Sequence, residues 1–171
     1  MSNTCILQVE DEANEVFLLQ QAFRSAGIIH PVQVATDGQM AIDYLNGSGQ
    51  FADRVKYPLP SLILLDLKLP RGSGLQVLEW IRSQPGLSRI IVIVFTAGQY
   101  VGDISLAYDL GANSFVIKPA DFSGYLEIAQ LLKGWWLRHN QSPPAPQIPT
   151  GVSSAHSAWL PPEQRTRAER A

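Results

Sequence analysis

The hydrophobic positions of this chain form two alternating patterns. Five short apolar runs, each the length of a strand, are separated by segments in which apolar residues recur at helical spacing. The predicted strands cover 5–9, 32–35, 61–65, 89–96 and 114–117. The predicted helices cover 13–26, 39–45, 75–84, 101–110 and 121–138. This alternation predicts an α/β fold with a parallel sheet, helices on both faces and right-handed crossovers.

Four of the five predicted strands end in polar residues. Glu10 and Asp11 follow the first strand, Asp66 follows the third, Thr96 closes the fourth and Lys118 follows the fifth. Because the carboxyl ends of parallel strands share one edge of a sheet, we expect these side chains to converge there. Taken alone, Asp66 is equally consistent with a residue that begins a turn. The other strand ends make a shared site the better interpretation.

Three carboxylates at one edge repel each other, and a hard divalent cation such as Mg²⁺ relieves the repulsion. A carboxylate nucleophile, Mg²⁺, an ammonium and a hydroxyl together suit phosphoryl transfer, in which catalysis is mainly positioning and charge neutralisation. The pattern therefore predicts a phosphoryl-transfer site built around Asp66.

The composition limits the classes of function. With 171 residues, 46% of them hydrophobic and 16% charged, the chain can build a core. A net charge of −2 does not favour nucleic-acid binding, and the single Cys5 excludes an internal disulfide. No apolar run is long enough for a membrane span, and residues 1–4 lack the features of a secretory signal. We expect a cytoplasmic protein.

The composition changes near residue 141. Residues 1–140 are expected to form one domain, whereas 141–171 are rich in Pro, Ser, Gln and Ala. The run Pro143-Pro144-Ala145-Pro146 is incompatible with a helix or a central strand. The segment 141–171 is therefore predicted to be a mostly disordered tail.

The motifs at the strand ends resemble those of the receiver domain of two-component response regulators, over about residues 4–138. They are Val9-Glu10-Asp11, Leu64-Leu65-Asp66-Leu67-Lys68-Leu69-Pro70, Gly74, Phe95-Thr96-Ala97 and Phe115-Val116-Ile117-Lys118-Pro119. The resemblance implies a flavodoxin-like fold with five parallel strands in the order 2-1-3-4-5. It also implies a regulator that is not an enzyme in its own right, beyond removing its own phosphoryl group.

The resemblance implies a role for each residue at the strand ends. Asp66 is the expected phosphoacceptor, receiving its phosphoryl group from a histidine kinase. Asp11, Asp66 and the backbone carbonyl of Lys68 are the expected Mg²⁺ ligands, with Glu10 acting through water. Lys118 is expected to pair with the phosphoryl group.

Two residues match the family's conformational switch, and a third matches a characteristic proline. Thr96 is expected to hydrogen-bond to the phosphoryl group in the active state, and Phe115 occupies the position of the switch aromatic. Because Phe115 has no hydroxyl, any switching there depends on packing alone. Pro119 matches a proline that is commonly cis in the family.

One subgroup is more similar than the rest: the small single-domain regulators paired with phytochromes. The shared features include Val9-Glu10-Asp11-Glu12, a long loop at 50–60, Leu67-Lys68-Leu69-Pro70-Arg71 and the pair Trp135-Trp136. A phytochrome is therefore a candidate for the kinase. Lys68 is a departure beside the phosphoryl group, where a side chain tunes hydrolysis, and its ammonium could also pair with Asp66.

Trp135 and Trp136 predict an interface. Adjacent helical positions point about 100° apart, so we expect one tryptophan in the core and the other exposed. The hypothesis is a homodimer formed by the fourth helix, the fifth strand and the last helix.

Other functions fit the residues less well. A phosphatase with an aspartyl-phosphate intermediate commonly has a second Asp where this chain has Lys68. No Ser/Thr/Gly-rich phosphate loop follows the first strand, which argues against a flavin-binding flavodoxin. The main alternative is an interaction module that uses the same fold without phosphorylation.

Overall fold

The computed structural model describes residues 5–141, which form a five-stranded parallel sheet in the order 2-1-3-4-5. The strands are β1 (Cys5–Val9), β2 (Val32–Ala35), β3 (Pro60–Leu65), β4 (Ile91–Thr96) and β5 (Ser114–Ile117). The helices are α1 (Ala13–Ser25), α2 (Gly38–Asn46), α3 (Gly74–Ser83), α4 (Val101–Asp109) and α5 (Phe122–Leu132). The predicted fold class and strand order are confirmed.

The central strand β3 is covered on both faces, as its continuous apolar sequence predicts. Leu62 and Leu64 belong to the core under α1 and α5, whereas Ile63 and Leu65 belong to the core under α2 and α3. β1 pairs with β3 on one side, with Val9 opposite Leu65, and β4 pairs with it on the other. This register places the residues that follow β1 and β3 side by side.

Local capping sets where several helices begin. The side chain of Asp37 accepts a hydrogen bond from the Met40 amide at the start of α2, at 2.8 Å. Ser73 and Gln76 form a reciprocal capping box at the start of α3. These two caps lie in the loops after β2 and β3, at the edge where the candidate site is expected.

The long loop before β3 is held by one arginine. Arg54 donates hydrogen bonds to the carbonyls of Tyr44 and Leu45 at 2.7 and 2.6 Å, which satisfies the last turn of α2. Tyr57 packs edge to face on the rings of Tyr44 and Phe51, and Tyr44 and Phe51 belong to the core under α2 and α3. The predicted long loop is therefore ordered by hydrogen bonds to the end of α2 and by aromatic packing on that core.

Two element boundaries differ from the sequence prediction by more than one residue. β4 begins at Ile91, two residues later than predicted, because the amide of Ile90 closes a turn onto the Leu87 carbonyl. α5 ends at Leu132 and continues as a π-helical segment over Lys133–His139. In that segment Trp135 is 65% exposed while Trp136 packs against the core, so the expected division between the two tryptophans is confirmed.

Cys5 is fully buried in β1, as its apolar neighbours in the sequence predict. None of the helices within 5–141 is both long and apolar enough to cross a membrane. The predicted tail at 141–171 lies outside the described residues, apart from Gln141.

Gly74 sets the distance between α3 and the end of β3. A Cβ atom added at Gly74 would lie 2.0 Å from the carbonyl oxygen of Asp66, an impossible contact with backbone. The Gly74 amide also donates to the Leu67 carbonyl at 3.0 Å. Only a glycine lets the helix begin this close to the strand, and this closeness fixes the Asp66 backbone.

We predict that Gly74→Ala destabilises the protein by about 1–3 kcal/mol, the usual cost of forcing extra atoms into a packed site. Chemical denaturation measures the free energy of unfolding. The matched control is Gly134→Ala, because no atom lies within 4 Å of a Cβ at Gly134. Alanine also favours a helix over glycine, so the control is expected to be neutral or stabilising. Equal stability of the two variants would contradict the proposed role of Gly74.

Candidate functional site

Asp66 is held at the end of β3 by backbone and side-chain contacts. Its amide donates to the Val9 carbonyl at 3.0 Å, which continues the pairing of β1 and β3 beyond the strand. One carboxylate oxygen, Oδ1, accepts from the Lys68 amide at 3.1 Å. The other, Oδ2, accepts from the Lys118 ammonium at 2.8 Å. The residue is 6% exposed, so its carboxylate is oriented and almost shielded from water.

Lys118 joins two carboxylates that come from different strands. Its ammonium forms ion pairs with both Asp66 and Glu10, and the three side chains are nearly buried. The Lys118 amide donates to the Thr96 carbonyl at 2.9 Å, which anchors the residue beyond the end of β5. The contact between Lys118 and Glu10 was not anticipated from the sequence.

Burial and pairing act in opposite directions on these charges. Burial raises the pKa of Glu10 above its usual range, and the neighbouring Lys118 ammonium only partly offsets this. Burial also disfavours the charged form of Lys118, but its hydrogen bonds to Asp66 and Glu10 outweigh that cost and raise the pKa of Lys118. Lys118 is therefore an ammonium at neutral pH.

The three carboxylates of the expected metal site lie together. Glu10, Asp11 and Asp66 each offer a carboxylate oxygen, and these oxygens lie within 4.8 Å of one another. Three carboxylates against the single Lys118 ammonium leave a formal charge of −2, which a divalent cation would neutralise. Oxygen atoms are the ligands that Mg²⁺ prefers. The donor set therefore fits the ion that the sequence predicts.

Lys68 contacts Asp66 through its backbone amide and not through its ammonium. Its amide bonds the carboxylate, whereas its side chain is exposed and its Cε lies 3.9 Å from the Cβ position of Gly98 in the loop after β4. Among the described residues, the ammonium that pairs with Asp66 belongs to Lys118. The possible ion pair of Lys68 with Asp66 is thus not present.

Thr96 and Phe115 lie where the sequence places them. Thr96 is 1% exposed, and its hydroxyl has no hydrogen-bond partner within residues 5–141. Phe115 is half-buried and packs against the small core formed by Leu67, Val94 and Ala107. A buried hydroxyl without a partner is costly, so one at this edge is suited to receive a polar group.

β5 is the last strand of the sheet, and one of its outward backbone groups is covered. The Phe115 amide donates to the hydroxyl of Tyr108, at 3.2 Å, instead of to a strand. Tyr108 lies in the last turn of α4. The switch position is thereby tied to α4 through backbone as well as through packing.

The expectation of a cis peptide bond at Pro119 is wrong. No peptide bond within residues 5–141 is cis. The Pro119 ring packs closely against Gly124 in the first turn of α5, where an added Cβ would lie 2.4 Å from the proline Cβ. The trans form is also the intrinsically preferred isomer before proline.

An ion pair beside the site was missed by sequence reasoning. Arg71, in the loop after β3, pairs with Asp37 at the start of α2. No spacing rule connects positions 37 and 71. A link of this kind follows from the packing of two loops.

A family model places the chain among known proteins. The model for the response regulator receiver domain matches residues 6–130. This range includes the five strands, apart from Cys5 at the start of β1, and the residues of the site at their ends.

Two curated proteins are similar over most of their own length. The probable methanogenesis regulatory protein FilR2 of Methanothrix harundinacea (strain 6Ac) is 35% identical over 141 residues, which cover 81% of this chain and 86% of that protein. Response regulator Rcp1 of Synechocystis sp. (strain ATCC 27184 / PCC 6803 / Kazusa) is 33% identical over 132 residues, which cover 77% of this chain and 88% of Rcp1.

Two solved structures have the same fold. The phosphorylated cyanobacterial phytochrome response regulator RcpA is 35% identical, with a TM-score of 0.76 over 82% of this chain and 98% of that one. The Mn²⁺-bound form of Rcp1 is 31% identical, with a TM-score of 0.75 over 82% of this chain and 99% of that one. The strand order, the convergent strand ends and these similarities agree, and the chain belongs to the response regulator receiver domain family.

Proposed function

We propose that this protein is a response regulator that accepts a phosphoryl group on Asp66 from a histidine kinase. The observation that carries the proposal is the environment of the Asp66 carboxylate. It is nearly buried, held at Oδ1 by the Lys68 amide and at Oδ2 by the Lys118 ammonium. Each oxygen keeps a further lone pair for attack on phosphorus.

The proposed transfer is a displacement at phosphorus. An Asp66 oxygen forms the new P–O bond while the P–N bond to the kinase histidine breaks, and the imidazole leaves with the electron pair. Lys118 pairs with the charge on the transferred group, and the Thr96 hydroxyl donates a hydrogen bond to it. Mg²⁺ held by Asp11, Asp66 and the Lys68 carbonyl, with Glu10 acting through water, would neutralise charge on the phosphoryl oxygens.

The similar proteins support the finer parts of this proposal. RcpA, a phytochrome response regulator, has been solved phosphorylated, and Rcp1 has been solved with Mn²⁺ bound. We infer that a phytochrome is the candidate kinase and that the protein acts in the cytoplasm. FilR2 is named for methanogenesis, so the choice of a phytochrome rests on the similarity to RcpA.

Phosphorylation would act on the surface through Thr96 and Phe115. A phosphoryl group adds roughly −1.5 to −2 charge at Asp66 and offers acceptors to the Thr96 hydroxyl, which lacks a partner among the described residues. Movement of Thr96 toward it frees space next to the core that holds Phe115. The output is then a change in which partner the surface near α4 prefers.

We predict that acetyl phosphate with Mg²⁺ adds the mass of one phosphoryl group to the intact protein, measured by mass spectrometry. Asp66→Asn is expected to abolish the adduct because an amide cannot form the acyl phosphate. Asp109→Asn is the matched control, since it removes an exposed carboxylate at the end of α4. A chain that never gains the adduct would favour the interaction module that works without phosphorylation.

Lys68 is suited to control how long the phosphoryl group survives. Its side chain extends from the residue two positions after Asp66 toward Gly98, across the mouth of the site. Hydrolysis requires a water molecule in line with the P–O bond. A long side chain in this position hinders the approach of that water.

We predict that Lys68→Ala speeds loss of the phosphoryl group by about tenfold, equivalent to ~1.4 kcal/mol of barrier. Lys68→Met keeps the bulk without the charge and is expected to stay close to wild type. Lys56→Ala removes the same charge from the loop before β3 and serves as control. The decay of the phosphorylated mass after removal of acetyl phosphate measures the rate. Unchanged or slower decay for Lys68→Ala would contradict the hindrance, and fast decay for Lys68→Met would assign the effect to the charge and not to the bulk.

The elements around the β5 edge expose many large apolar side chains. They are Val101, Leu106 and Tyr108 on α4, Ile117 on β5, Leu131 on α5 and Trp135 in the segment that follows. Exposed aromatic and aliphatic groups on neighbouring elements indicate an interface. We infer a homodimer in which α4, β5 and α5 of one copy meet the same elements of the other.

We predict that Trp135→Ala weakens this dimer by about 2 kcal/mol, roughly 30-fold in Kd, as expected for an aromatic hot spot. Sedimentation velocity across a concentration series measures the equilibrium. The matched control is Phe17→Ala, which removes an exposed aromatic from α1. A wild-type chain that stays monomeric at high concentration, or equal dimerisation of both variants, would contradict the inference.

A further inference from the structure

The ion pair between Arg71 and Asp37 connects the loops after β3 and β2, the two strands that flank β1. Asp37 is 2% exposed, and one of its oxygens is already used by the Met40 amide. Its other oxygen accepts from the Arg71 guanidinium. The acidic residues Glu10 and Asp11 follow β1, so they lie between the two strand ends that this pair joins.

The backbone around Arg71 is shaped for this contact. Arg71 is the one described residue other than glycine with a positive φ, at 51°, and Gly72 follows at 115°. The loop also packs directly on the start of α2. A Cβ at Gly38 would lie 3.1 Å from the Gly72 carbonyl oxygen and 3.3 Å from that of Arg71. Loop and helix are therefore in close backbone contact beside the ion pair.

The same loop carries the backbone group assigned to the metal. Residues 67–73 form the loop between Asp66 at the site and Gly74, whose amide donates a hydrogen bond to the Leu67 carbonyl. Lys68 lies within this loop, with an exposed side chain that contributes no anchor to Asp66. Leu67 and Leu69 pack against the apolar cores, and Ser73 caps α3. Among the described residues, the loop's side-chain ion pair is that of Arg71, whose side chain is 76% exposed while that of Asp37 is buried.

We propose that Arg71 is a positioning residue, whose ion pair with Asp37 fixes loop 67–73 so that the Lys68 carbonyl serves the metal site. This inference rests on the proposed function, because it assigns Mg²⁺ to Asp11, Asp66 and that carbonyl. Residues that orient metal ligands without touching the metal commonly set the affinity by 10- to 100-fold.

Loss of the Arg71 charge and loss of its anchoring contact predict opposite effects of Arg71→Ala on Mg²⁺ affinity. Arg71→Ala removes a positive charge from the neighbourhood of a cation site, so Coulomb's law alone predicts tighter Mg²⁺ binding. Loss of the anchor predicts weaker binding. The sign of the change therefore separates positioning from charge.

The test is calorimetric titration of the full chain with Mg²⁺ in the absence of any phosphoryl donor. Arg71→Ala is expected to raise Kd about tenfold. Arg89→Ala, which removes the same charge from an exposed site before β4, is expected to leave Kd unchanged or slightly lower. In an Asp37→Asn background, in which Asn still caps α2, Arg71→Ala is expected to cause no further weakening.

Hydrogen exchange of the metal-free protein supplies a second readout. Arg71→Ala is expected to speed exchange at the Lys68 and Gly74 amides while β1 and β3 keep their protection. Faster exchange throughout the sheet would show a general loss of stability and overturn the assigned role.

The outcomes distinguish the two proposals. If wild type binds Mg²⁺ and is phosphorylated but Arg71→Ala binds equally or more tightly, the positioning role is overturned and the proposed function stands. Tenfold weakening that persists in the Asp37→Asn background overturns the route through Asp37. A wild-type chain that binds no Mg²⁺ overturns both proposals.

Discussion

The contact of one ammonium with two buried carboxylates is the constraint on which the site depends. Lys118 follows β5, Asp66 follows β3 and Glu10 follows β1, so the lysine must reach across the end of β4. The hydrogen bond from the Lys118 amide to the Thr96 carbonyl fixes the backbone from which this side chain extends. Removing the lysine would leave two buried carboxylates without a counter-charge, which is far costlier than losing an exposed ion pair. The three strand ends that carry these charges are thus electrostatically interdependent.

The sequence predicted the parts of this arrangement that follow from strand order alone. Apolar runs located the strands, and the rule that parallel strands share a carboxyl edge placed Asp66 and Lys118 at one edge, with Thr96 at the end of the strand between them. The division between Trp135 and Trp136 followed from helical geometry in the same way. These predictions succeeded because each depends on the spacing of apolar residues or on the order of the strands, and both can be determined from local stretches of the sequence.

The contacts that could not be predicted depend on how separate loops meet. The pairing of Lys118 with Glu10 needs the rotamers of two long side chains, and the pairing of Arg71 with Asp37 needs a left-handed residue in a loop. The trans bond before Pro119 is a different case, because the expected cis form came from the family resemblance alone and trans is the isomer that X–Pro bonds prefer. Local sequence leaves the two ion pairs open because the deciding partner lies far away in the chain.

The hydroxyl of Tyr108 has a consequence for how copies of this protein can meet. An edge strand with free amides invites another chain to extend the sheet, which leads to open-ended aggregation. Here the Phe115 amide on that edge is already bonded to a side chain, so backbone pairing along β5 would first have to break it. Any association at this edge is thereby directed to side-chain surfaces and away from the backbone of β5. A signalling protein built this way can expose apolar groups without becoming a seed for fibres.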